Sequence, residues 1–177
     1  MIKKILLGIV GVIVLLLIVA IFVPKKYSLE KQIVINKPAV EVFNYIKYLK
    51  NQDKYSKWAS MDPNMKKTYT GTDATPGFVS AWESNNKDVG KGEQKILSIT
   101  DGKQVDYELH FIEPFEGLAK SYIKTEGNGN KTTTVKWGLS SEMPYPMNLV
   151  RLCMSIEDML GKDLETGLTN LKSQLEK

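Results

Sequence analysis

The chain has 177 residues, 24 of them Lys or Arg against 20 Asp or Glu, with one histidine and one cysteine. Lys3, Lys4, Lys25 and Lys26 flank an apolar run at residues 5–23, and without these four the remaining 20 basic groups balance the 20 acidic ones. The apparent basicity therefore belongs to the flanks of the run, which removes the main support for nucleic-acid binding. A lone cysteine excludes an intrachain disulfide, and one histidine with no CxxC excludes a structural zinc or multi-histidine site.

The run Ile5–Val23 carries no polar side chain. At about 1.5 Å per helical residue it spans roughly 28 Å, close to the ~30 Å hydrocarbon core of a bilayer. It is longer than the apolar core of a signal peptide and ends Ala20-Ile21-Phe22-Val23-Pro24 without a small-x-small site. We therefore expect an uncleaved single-pass anchor at residues 1–26, placing the protein in the cell membrane. A cleaved signal is the rival reading. Lysines on both sides leave the side of the soluble domain open.

Residues 27–177 read as one domain, expected to be monomeric. Leu29–Ile35 alternates as a first strand. Asn36-Lys37-Pro38 is a helix-start signal, followed by Val42, Phe43, Ile46 and Leu49 at helical spacing. A second helical piece is expected near Asp53–Trp58, so this region is one broken helix or two short ones. From Met65 onward the period is two, and strands are predicted at Lys66–Gly71, Phe78–Ser84, Gly92–Thr100, Gln104–Glu113, Ala119–Glu126 and Thr132–Met143. Asp101-Gly102, Pro114–Gly117 and Gly127-Asn128-Gly129-Asn130 supply turns between successive strands. Val105, Tyr107, Leu109 and Phe111 share one face of their strand, as do Val135, Trp137, Leu139 and Met143. Such one-sided faces belong to an antiparallel sheet covered on one side. Leu149, Cys153, Ile156, Leu160, Leu164, Leu168, Leu171 and Leu175 step by three or four, predicting one helix over about Met147–Gln174 with Cys153 as a small buried apolar residue. The expected fold is α+β, a sheet wrapped around one amphipathic helix.

Several strings, in this order, resemble the helix-grip superfamily of START-like proteins, Bet v 1 allergens and polyketide cyclase/dehydrase-type domains. They are Ile35-Asn36-Lys37-Pro38 with Val40 and Val42-Phe43, Trp82 with Val89-Gly90-Lys91-Gly92, and Val105-Asp106-Tyr107-Glu108-Leu109 with Phe111 and Pro114-Phe115. Thr133-Thr134-Val135-Lys136-Trp137 and Gly161-Lys162-Asp163-Leu164-Glu165 with Gly167-Leu168 and Asn170-Leu171-Lys172 complete the set. The resemblance implies a helix-grip fold of about seven strands with two short helices after the first. It also implies an apolar cavity between sheet and helix, of the kind that members use to hold lipids, sterols or polyketides. The leading anchor is a departure, since many members are soluble. Candidates to line such a cavity are Trp82, Tyr107, Phe111, Trp137 and Met143 on the sheet side, with Met147, Met154 and Met159 on or near the helix. The plainer alternative is that these residues simply fill a core.

Catalytic groups are sparse. His110 falls on the Asp106/Glu108 face, where alternation points it to solvent. Gly90-x-Gly92 and Gly127-x-Gly129 precede no helix and read as turns rather than phosphate loops. No metal, cofactor or catalytic residue is assigned. The reading favoured is a membrane-tethered binding module for a hydrophobic small molecule or lipid, a binder rather than an enzyme. The alternatives are a cyclase-, dehydratase- or hydrolase-type enzyme on a hydrophobic substrate, and an accessory protein acting on a membrane partner.

Overall fold

The computed structural model describes residues 1–129 and 131–177. It opens with helix α1 (Ile2–Phe22), long and apolar enough to cross a membrane and with nearly all of its side chains exposed. Strand β1 (Lys26–Ile35) follows, and Pro38 then leads into α2 (Ala39–Ile46) with Glu41 in its first turn. That placement suits proline, which has no N–H to satisfy, and a carboxylate, which meets the positive end of the helix dipole. The chain then breaks into a 3₁₀ turn (Leu49–Lys54) and a short α3 (Lys57–Met61). The Asp73 carboxylate accepts the Leu49 and Lys50 amides at 2.8 and 3.1 Å, satisfying donors that the start of a helix leaves free.

Six further strands complete an antiparallel sheet: β2 (Lys66–Thr70), β3 (Val79–Glu83), β4 (Lys91–Thr100), β5 (Gln104–Glu113), β6 (Gly117–Asn128) and β7 (Thr132–Glu142). Their order is β1-β7-β6-β5-β4-β3-β2. Each predicted strand is present with its ends shifted by no more than a few residues. β6 continues through Gly127 and Asn128, shortening the predicted turn there, and Asn130 lies outside the described residues.

The C-terminal segment departs from the continuous helix expected over Met147–Gln174. A 3₁₀ turn (Met147–Leu152) is followed by a break, and α4 runs over Ile156–Leu175. Ser155 causes the division: its hydroxyl caps the new helix by accepting the Asp158 amide at 3.2 Å, and Glu157 and Asp158 sit in the first turn. Cys153 falls in the break and is exposed, which corrects its expected burial. From Ile156 onward the apolar stripe holds. Leu164, Leu168 and Leu171 are essentially fully buried in one core with Ile35, Val42, Phe43, Ile46, Ile123 and Val135.

The junction between α1 and the domain is closed by side chains of the 3₁₀ turn. Asn148, fully buried, donates through Nδ2 to the carbonyls of Ala20 at 2.7 Å and Val23 at 2.9 Å. Arg151 Nη1 donates to the carbonyls of Pro24 and Lys26, both at 2.8 Å, and pairs with Glu157. The last carbonyls of a helix have no partner within it; here the domain supplies partners for two of the residues at that end.

Candidate functional site

The concave face of the sheet is filled along only part of its length. Toward Ile96, Val105, Ile123 and Val135 it packs solidly under α2 and the C-terminal half of α4. Toward the start of α4 it opens into a cavity of about 300 Å³. One wall is the sheet, through Trp82, Gln94, Leu109, Phe111, Trp137 and Leu139. Leu160 and Leu164 of α4 form the opposite wall, and Leu49, Trp58 and Met65 close the side. The chain's three tryptophans, Trp58, Trp82 and Trp137, all line this space.

Each sheet tryptophan is held by a hydrogen bond and an aromatic neighbour. Trp137 Nε1 donates to Ser121 Oγ at 3.2 Å, the ring meets Tyr55 edge-on at 5.8 Å, and α4 approaches it at Gly167, where a Cβ would lie 2.8 Å from the ring. Trp82 Nε1 donates to the Val89 carbonyl at 3.2 Å, and its ring meets Phe111 edge-on at 6.2 Å. Burying the indole N–H is tolerable because a partner is present in both cases. Trp82 also lies across Gly92: a Cβ there would stand 2.7 Å from the Trp82 ring and 2.6 Å from the His110 carbonyl oxygen. The carbonyl, held in the β4–β5 ladder, is the nearer of the two, so the strand backbone as well as the ring must shift. Gly92→Ala is expected to push Trp82 toward the cavity and to cost about 1–3 kcal/mol. Chemical denaturation measures the cost, and an altered tryptophan emission spectrum reports the displaced ring.

Polar groups stand at defined places. Ser121, buried on the sheet wall, is satisfied: it accepts from Trp137 and donates to the Gly138 carbonyl at 2.8 Å. Lys67 pairs with Asp53 at 2.8 Å on the side wall, and Tyr69 donates to the other Asp53 oxygen at 2.6 Å. Desolvation, reinforced by that bond, raises the Tyr69 hydroxyl above its ordinary pKa; burial raises Tyr55 and Tyr107. His110 is half-buried, away from the cavity lining, with Glu93 at 3.9 Å and Glu116 at 3.6 Å. Among the described residues no group of His, Cys, Asp or Glu is arranged to hold a metal ion.

The structure brings Trp82, Phe111 and Trp137 together on the cavity wall and places the other candidates elsewhere. Tyr107 is 2% exposed in the filled core beyond the cavity lining. Met143 follows the end of β7, with its amide donating to the Lys25 carbonyl at 2.8 Å. Met147 lies exposed on the 3₁₀ turn, and Met154, also exposed, borders an open groove with Val23 and Arg151. The positions of Met147 and Met154 follow from the divided C-terminal helix. Sequence reasoning passed over Trp58, Gln94, Leu160 and Leu164 as lining residues. Leu160 and Leu164 were marked by the helical stripe and Trp58 by the second helical piece; Gln94 had only the signal of a polar residue between inward-facing Gly92 and Ile96.

The cavity rim lies at the end of the sheet where α1 arrives. Lys26 pairs with Glu142, Ser141 with Ala119, Gly117 with Phe111, and Lys91 with both Glu113 and Glu83. These residues gather at the end of the sheet from which β1 starts. Of the exposed lining residues, Asp88 lies in the β3–β4 connection, Glu113 ends β5, and Pro114 and Phe115, the latter 72% exposed, lie in the β5–β6 connection at this end.

No protein-family model matches the chain, and no curated protein matches it. Solved structures do. Norcoclaurine synthase from Thalictrum flavum, in complex with dopamine and hydroxybenzaldehyde, aligns with a TM-score of 0.61 at 11% identity over 85% of this chain and 86% of that one. XoxI from Bacillus cereus aligns with a TM-score of 0.61 at 12% identity over 85% and 96%. Ara h 8.0201 aligns with a TM-score of 0.56 at 13% identity over 85% and 97%. At these identities the likeness is one of fold, and the fold is the helix grip of Bet v 1-like proteins.

Proposed function

We propose that this chain, which has the helix-grip fold of Bet v 1-like proteins, is a membrane-tethered binding protein for a hydrophobic small molecule. Residues 1–26 serve as the anchor and residues 27–177 as the binding domain. The observation that carries the reading is that the exposed rim of the apolar cavity and the end of α1 share one end of the sheet. A molecule that concentrates in a bilayer is thereby offered to the cavity close to where it partitions, and its apolar surface exchanges lipid for Trp, Phe and Leu side chains. The ligands in the norcoclaurine synthase complex, two small aromatic molecules, support small-molecule cargo. Trp82, Phe111 and Trp137 are the proposed contacts on the sheet wall, with Leu160 and Leu164 opposite.

Native mass spectrometry of the full-length, detergent-extracted protein tests the reading, together with tryptophan emission during titration with a series of straight-chain alcohols. Because every tryptophan borders the cavity, binding should shift emission, and affinity should rise by about 0.8 kcal/mol per added CH₂ until the space is full, after correction for partition into the micelle. A bare protein mass together with unchanged emission and melting temperature across the series would refute the reading. Before extraction the protein should stay with membranes through carbonate washing, and the extracted chain should retain residues 1–26.

A further inference from the structure

The cavity wall contains a polar side-chain atom that is shielded from solvent and meets no partner among the described residues. Gln94 is only 8% exposed, lines the cavity, and its Nε2 makes no hydrogen bond among the described residues. The position is inward by strand alternation, between Gly92 and Ile96, and its register neighbours are Ser80 on β3 and Leu109 on β5. Ser80 and Leu109 line the same space. A buried amide left unsatisfied is a real cost to a fold, and an apolar residue of similar length would avoid it. Ser121 shows the contrast, since both of its hydrogen bonds end on protein groups.

We propose that Gln94 is the polar recognition residue of the cavity, binding an otherwise apolar ligand through one uncharged oxygen, a hydroxyl or a carbonyl. This inference rests on the cavity being a ligand site. An amide can serve either group, because rotation of its terminal torsion exchanges donor and acceptor ends. The oxygen is uncharged because the neighbours of Gln94 offer no counter-charge: the nearby lining ions Lys67 and Asp53 are paired with each other at 2.8 Å. A charged group against a buried amide would lose its hydration without compensation. Ser80, beside Gln94 on the wall, adds a hydroxyl for the same oxygen.

The test compares n-decane, 1-decanol and 2-decanone as probes, titrated into full-length protein and into Gln94→Leu in the same detergent. Partition of each probe into micelles is the same for both proteins, so the comparison isolates the side chain. The preference for 1-decanol or 2-decanone over n-decane should fall at least about fivefold in the variant, while n-decane binds as well or better. Loss for both probes indicates an oxygen that accepts; loss for 1-decanol alone indicates a hydroxyl that donates. Gln94→Met, which keeps length and flexibility, serves if the leucine variant folds poorly. Probes that bind wild type but show an unchanged preference in both variants would overturn the role of Gln94 and leave the cavity reading standing. Failure of all three to bind wild type would remove both.

Discussion

Trp137→Ala is expected to lower the unfolding free energy by about 3–5 kcal/mol, the range for deleting a large buried aromatic. The indole is 3% exposed and packed between Tyr55 and the backbone of α4 at Gly167, so little nearby can collapse into the space it leaves. Ser121 Oγ also loses the donor that faces it. The new space joins the existing cavity, so the variant should move its optimum toward longer members of an alcohol series while unfolding earlier in urea. A loss below 1 kcal/mol would show that the ring is not packed as described, and an unchanged chain-length optimum would show that Trp137 does not limit the cavity.

Leu164→Ala should cost about 2–5 kcal/mol, because the side chain is completely buried at the middle of α4. Its neighbour Lys162, exposed on the other side of the helix, should tolerate alanine for well under 1 kcal/mol. The pair is most informative measured together by denaturant unfolding: equal effects would mean that α4 is rotated about its axis from the orientation described. Leu164 also borders the cavity, so its truncation should weaken the binding of short probes by removing wall contacts.

How far these features could be read from the chain depends on what each residue pattern encodes. Alternation placed β5 at Gln104–Glu113, and the turn glycines and prolines located its neighbours. Alternation assigns a side chain to a face, however, and says nothing about where along that face the core ends. Tyr107, Leu109 and Phe111 follow one another on the same face, yet Tyr107 lies in the solid core and the other two line the cavity. That boundary is set by how far α2 and the C-terminal half of α4 reach across the sheet, a matter of long-range packing. The break before α4 was hidden for a different reason. Apolar steps of three and four continue through Leu149, Cys153 and Ile156, so periodicity reads straight across a point where Ser155 starts a new helix. Weighing the cap signature Ser155-x-x-Asp158 above the stripe would have found it. Gln94 was visible only as an exception to its strand, and its significance required knowing that no partner among the described residues meets its Nε2.

The bonds from Asn148 and Arg151 to the carbonyls of Ala20, Val23, Pro24 and Lys26 leave no free hinge between α1 and β1. Once α1 crosses a bilayer, its tilt and the attitude of the sheet become one variable. Helices adjust tilt to match hydrocarbon thickness, so a thinner or thicker membrane would swing Phe115 and its neighbours at the cavity rim closer to the acyl chains or farther from them. Under the proposed tethering, bilayer thickness would act as a mechanical input to loading, with α1 as the lever and Asn148 as the weld that joins it to the domain.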